Sequence, residues 1–261
     1  MSIAWIAAAL LTAQCPEGGL ASERVIELPA GTGGVYGTLQ YDETLSLGPR
    51  EIVLTFDDGP HLTHTETILD TLDAHCVTAI FFVVGVWAEA RPEEVREIWR
   101  RGHLIANHTH GHPNLHRRSV ASARREVDRG FAAIDAALAG LTDADGNAAR
   151  AARIFRFPGL NDHPALRAAL IAEGITIMST DVGTDDWRRI NSAQVRYRAR
   201  RNITSRGSGI VLMHDTKART AIALPYLLQD LADRDYRVVR VVEAPSPPNS
   251  AAGLVAPAEQ P

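Results

Sequence analysis

The 261-residue sequence is poor in cysteine, with 2, in methionine, with 3, and in aromatic residues, at 6%. Two cysteines cannot staple a small disulfide scaffold or build a thiolate zinc site, so an apolar core must hold a chain of this length. Cys76, beside the run VTAIFFVV (77–84), reads as a small buried hydrophobe without a disulfide partner. Excess positive charge is also missing. The 27 basic residues against 31 acidic ones give a formal net charge of −4, and the two signs are interspersed. Nucleic acid and other polyanionic partners are therefore not expected. The longest uncharged apolar run, residues 3–13, falls short of the roughly 20 residues that span a bilayer, so no transmembrane span is expected either. Repeats of solenoid length are absent, and no interior shift of composition divides the chain.

The run at 3–13 has the length of a signal-peptide h-region. Cleavage after Ala21 would leave Gly19 and Ala21 at the small-residue positions, so residues 1–21 are expected to be a leader and the protein to be periplasmic or secreted. LTAQC (11–15) loosely resembles a lipoprotein box, which makes anchoring at Cys15 the alternative. Residues 22–49 read as an N-terminal extension and 50–243 as one domain. Residues 244–261, punctuated by five prolines, read as a disordered tail.

Within 50–243, seven short apolar runs alternate with longer amphipathic segments: 52–56, 77–84, 104–107, 153–157, 176–182, 209–214 and 236–242. Most lack polar alternation, as strands do when helices cover both faces, so the fold class is α/β, a distorted (β/α) barrel of about seven parallel strands. Helix starts are marked near Thr63, Pro92, Pro164 and Ser192, and 137–152 reads as a surface loop.

In such barrels the reactive groups sit where the strands end. Here the ends are loaded. They carry TFDDGP (55–60), HTHGHP (108–113), RFP (156–158), DVGTDDW (181–187) and LMH (212–214). Five histidines, at 103, 108, 110, 112 and 116, fall in one short stretch. One of the paired aspartates with two of His108, His110 and His112 is a ligand set for a first-row divalent ion, and the second aspartate is free to act as a base. Taken singly, each piece has a plainer reading: a helix-entry cap for DDGP, a surface ion pair for Arg156, a packed core imidazole for His214. Only their convergence on one rim argues for chemistry.

At these residues the sequence resembles the polysaccharide deacetylases, the NodB-homology group of metal-dependent carbohydrate esterases, over roughly 50–243. TFDDGP and HTHGHP are similar to the first two family motifs, and RFP, DVGTDDW and LMH follow in the family's order. The resemblance implies removal of N-acetyl groups from an amino-sugar polymer or oligomer, an acetylated glycan being the only partner implied. It implies a divalent cation, usually zinc, on Asp58, His108 and His112, with Asp57 as general base directed by Arg156. It makes His214 the general acid, Gly159 a backbone donor to the oxyanion, and Leu212 with Trp187 the walls of the acetyl pocket. Two positions depart from the pattern. Gly159 stands where relatives often carry an aromatic ring, and Gly183 where many carry the aspartate that orients the acid histidine, leaving Asp181 or Asp185 to substitute. His110 is expected at the rim. Two alternatives stay open: an O-acetyl esterase acting on xylan or exopolysaccharide, and a non-catalytic glycan-binding relative.

Overall fold

The computed structural model describes residues 19–244. The expected leader, apart from Gly19–Ala21, and the tail beyond residue 244 lie outside them. The seven expected strand runs are all present as strands: β3 (Glu51–Asp57), β4 (Ala79–Val83), β5 (Leu104–Asn107), β6 (Ile154–Phe155), β7 (Thr176–Met178) with β8 (Val182–Gly183), β9 (Gly209–His214) and β10 (Arg237–Ala244). The run 176–182 divides because the backbone changes partners there. β7 pairs with β6, whereas the Asp181 N–H already donates to Ile210 O and leads β8 onto β9. Residues 22–49 bring two further strands, β1 (Ala21–Pro29) on β10 and β2 (Gly34–Tyr36) on β7.

Every ladder is parallel. The hydrogen-bonded path runs β8-β9-β3-β4-β5-β6-β7-β2, with β10 and β1 branching from the first residues of β3. Among the described residues no ladder joins the β2 end to β8, so strand pairing alone does not close the ring. The crossovers carry α1 (His64–Ala74), α2 (Gly85–Ala90), α3 (Pro92–Arg100), α4 (Val120–Leu138), α5 (Pro164–Ala172), α6 (Ser192–Arg206) and α7 (Ala218–Ala232).

Alternate strand residues feed two cores, as the two-residue period of a strand requires. Leu54, Phe56, Phe81 and Val83 face the helices and pack with Ile68, Val95, Ile134 and Leu224. Val53, Ile80, Phe82, Met178 and Ile210 face inward and form a separate cluster with Leu28 and Leu45. Thr55 and Asp57 continue the inward row of Val53, and Leu212 and His214 continue that of Ile210. Register places Asp57 opposite both Phe82 and His214, and Asn107 opposite Val83 and Phe155, so the strand ends share one rim. The expectation for Cys76 is corrected: it is half-buried at positive φ in the turn after α1, and it is disulfide-bonded.

Candidate active site

Two adjacent carboxylates leave the end of β3 in different directions. Asp57 stays on the inner face and is buried, whereas Asp58 takes φ 77° and turns toward the rim. Arg156, fully buried, reaches under Asp57. Its Nη1 donates to Asp57 Oδ1 at 2.6 Å and to Thr55 Oγ1 at 2.8 Å, its Nε to Met178 O at 2.9 Å, and its Nη2 to Ser179 O at 2.7 Å. The guanidinium also lies over the Phe82 ring, 3.9 Å from the centroid. A buried charge with this many acceptors is fixed in direction, and it fixes the carboxylate it bonds. Asp57 Oδ2 is left facing His108 Nε2 at 3.7 Å.

The loop after β5 supplies the imidazoles. His108 is buried, and its Nδ1 lies 2.9 Å from Arg156 O, so Nδ1 carries the proton and Nε2 presents a lone pair to the carboxylates. His112, at the solvent edge with φ 54°, is held by its N–H donating to Thr109 Oγ1. Asp58 Oδ1 lies 3.1 Å from His112 Nε2 and 3.7 Å from His108 Nε2. One donor atom from each of Asp58, His108 and His112 falls within 4.8 Å of the others. Two imidazole nitrogens and one carboxylate oxygen converging in this way fit a divalent cation and leave coordination positions over for water and substrate.

Protonation follows from these contacts. Burial keeps His108 below its ordinary value. Burial alone would raise Asp58, but the hydrogen bond from His112 and the charges of His108 and His214 outweigh it and hold the carboxyl well below the usual range. The same hydrogen bond raises His112.

His214 stands opposite Asp57 across the β3–β9 ladder. Its tether is neither Asp181 nor Asp185, which corrects the sequence expectation. Asp186 is fully buried and takes both the His214 ring, Nδ1 to Oδ1 at 2.7 Å, and the His214 N–H, at 2.7 Å, with Thr220 Oγ1 donating at 2.6 Å. Asp181 instead accepts from Thr38, Thr44 and the Ile210 N–H, and Asp185 pairs with Arg188 and Arg198. Burial would lower the His214 pKa, but the Asp186 hydrogen bond and charge push it up to about 9.

Other expected positions are scattered. Leu212 is half-buried on the inner face next to the site, whereas Trp187 is 58% exposed with Arg188 over its ring. Gly159 sits exposed at φ 59° in the turn after β6. His110 is no rim residue. It is buried against Gly85 and pairs with Glu89 at 3.0 Å. His103 lies behind the site against Phe81, and His116 binds Asp162 O on the surface. Lys217, whose Nζ lies 3.9 Å from Asp58 Oδ2, and Asp215 carried no motif signal. Asp215 is fully buried and takes the Thr65 hydroxyl at 2.6 Å, and burial pushes its carboxyl up to about 7.

Residues 45–177 match the family model described as polysaccharide deacetylase. A chitooligosaccharide deacetylase of Sinorhizobium fredii is 45% identical over 82 residues, 31% of this chain and 36% of that one. A chitooligosaccharide deacetylase of a Bradyrhizobium species is 31% identical over 206 residues, covering 73% of this chain and 89% of the relative. Among solved structures, the peptidoglycan deacetylase of Bdellovibrio bacteriovorus superposes with a TM-score of 0.74 at 28% identity, covering 87% of this chain and 60% of that one.

Proposed function

Because this chain belongs to the polysaccharide deacetylase family, we propose that it hydrolyses N-acetyl groups on an amino-sugar polymer or oligomer, releasing acetate and a free amine. The observation that carries the reading is the division of labour between two neighbouring carboxylates: Asp58 turned to two imidazoles, Asp57 turned to a buried guanidinium. In this reading Asp58, His108 and His112 hold a divalent cation, zinc being our choice, which when bound supplies a Lewis acid for the carbonyl and lowers the pKa of water.

Asp57 takes the proton of the attacking water through Oδ2, the oxygen that Arg156 leaves unbonded. Arg156 holds that oxygen in place. The water oxygen adds to the acetyl carbon, and the Gly159 N–H is offered to the carbonyl oxygen as charge builds there. His214, which keeps its proton at neutral pH, gives it to the nitrogen as the carbon–nitrogen bond breaks. Leu212 walls the methyl side, and Trp187 stands ready for a sugar ring. The non-catalytic alternative drew on Gly183 in place of an aspartate, and Asp186 on His214 removes that ground. Action in the periplasm or outside the cell belongs to the same proposal, with the apolar run at residues 3–13 as its support.

Acetate release from N-acetylglucosamine oligomers and from xylan acetate, with and without chelator, tests the reading. We expect chelator-sensitive release from the amide substrate, reduced by roughly 10²–10⁴ in a folded Asp57→Asn variant. Near-normal turnover of that variant, or release from the ester substrate alone, contradicts it.

A further inference from the structure

Charges that look interspersed along the chain are not interspersed on the fold. From Trp187 to His214 the sequence holds seven arginines and no aspartate, glutamate or lysine, in a chain whose acids outnumber its bases. Five of the seven lie on α6. Between α6 and α7 runs an open groove of about 410 Å³, lined by Arg196, Tyr197, Arg200, Ile222 and Tyr226. Tyr197 is 55% exposed, and Ile222 and Tyr226 are each 58% exposed. Among the described residues no helix or strand covers them, and the guanidiniums of Arg196 and Arg201 lie 5.5 and 6.0 Å from the Tyr226 and Tyr197 ring centroids.

The arginines are under-neutralised. Arg196 bonds Asp230 through Nε at 2.7 Å and Nη2 at 2.9 Å, while Arg200 and Arg234 approach the same buried carboxylate at 3.6 and 4.0 Å. One negative charge thus serves three guanidiniums, and among the described residues no second carboxylate pairs with any of them. Arg188 and Arg198 likewise share Asp185. The groove also starts at the right end. α6 follows the loop after β8 and α7 follows β9, so both helices begin at the rim that carries His214, and Ser192 and Ala193 at the start of α6 line the groove.

We propose that this groove is a second binding site, for an acidic glycan: sugar rings lie on Tyr197 and Tyr226, and carboxylate substituents pair with the arginines. The proposal rests on the glycan reading above and adds to it a preference for amino-sugar chains that bear carboxylates.

The test is equilibrium binding of the full chain to immobilised carboxymethyl chitin and glycol chitin, which share a backbone and differ in carboxylates, at low and high salt. We expect the carboxylated polymer to bind roughly tenfold tighter, an advantage that salt removes. Tyr197→Ala/Tyr226→Ala and, separately, Arg200→Gln should each lose roughly tenfold for carboxymethyl chitin. Both should fold and release acetate from chitotriose at the parent rate. Equal binding of the two polymers, undiminished binding in both variants, or binding to an anionic oligonucleotide or anionic lipid vesicles in place of the polymer overturns the site. Absence of acetate release from every substrate would overturn the deacetylase reading instead, and the binding comparison decides the groove regardless.

Discussion

His214 holds its proton because the carboxylate bonded to its ring, Asp186, is buried, and the charges of Asp57 and Asp58 add to it. The ring titrates near 6.5 in the unfolded chain and near 9 in the fold, so the fold binds the proton more tightly. The resulting stabilisation, about 3 kcal/mol, is complete below pH 6.5 and is lost as pH rises through about 9. Urea denaturation of the metal-free protein at pH 6 and pH 10 should therefore show a larger fall for the parent than for Asp186→Asn, and equal falls contradict the assignment. Asp186 was hard to read from the sequence. In DVGTDDW three aspartates compete for one role, and what separates them is backbone direction: Asp185 takes φ 62°, which turns the following residue inward. The strand-end pattern narrowed the candidates to one of the Asp57/Asp58 pair with two imidazoles of the following motif loop, and the resemblance to the family motifs is what singled out Asp57, Asp58, His108 and His112. His110 was misplaced because a neighbouring loop position gives no sign of which side the helix layer lies on.

The second-motif loop depends on a glycine in the middle of α4. Asn107 Nδ2 donates to Val127 O, and Asn107 Oδ1 receives the Thr109 N–H, which sets the turn that aims His108 and His112. A Cβ on Gly130 would lie 2.2 Å from Asn107 Oδ1 and 2.8 Å from the Thr109 carbonyl carbon. Helix propensity alone favours alanine there by about 1 kcal/mol. The clash reverses the sign, and Gly130→Ala should destabilise by about 1–3 kcal/mol and weaken metal binding together. A calorimetric scan showing a raised melting temperature would contradict this. The same helix was not foreseen, since its start signal is Ser119 alone with no acid in the first turn. α7 lacks a side-chain cap and carries Pro225 inside, both signs against a helix that packing overrides. The central strands were plain from their runs because both faces are buried. β2 has three residues and mostly exposed β1 shows no apolar run, so neither declares itself.

Across the whole molecule, residues 22–49 are built into the sheet that carries the site. β1 lies along β10, Leu28 and Leu45 fill the inner core, and Thr38 and Thr44 hold the buried carboxylate of Asp181 against the Ile210 N–H. A chain starting at residue 50 leaves that carboxylate with its hydroxyl partners gone and should lose at least about 3 kcal/mol. An unchanged urea midpoint would contradict it. The proposed function needs one cation held between the residue after β3 and the loop after β5. Crystals of the protein saturated with zinc, measured above and below the zinc absorption edge, test this most directly. One anomalous peak per chain is expected, between Asp58 Oδ1, His108 Nε2 and His112 Nε2, and it should disappear in His112→Ala. Density absent from that position at saturation, or a peak held by other side chains, would contradict it.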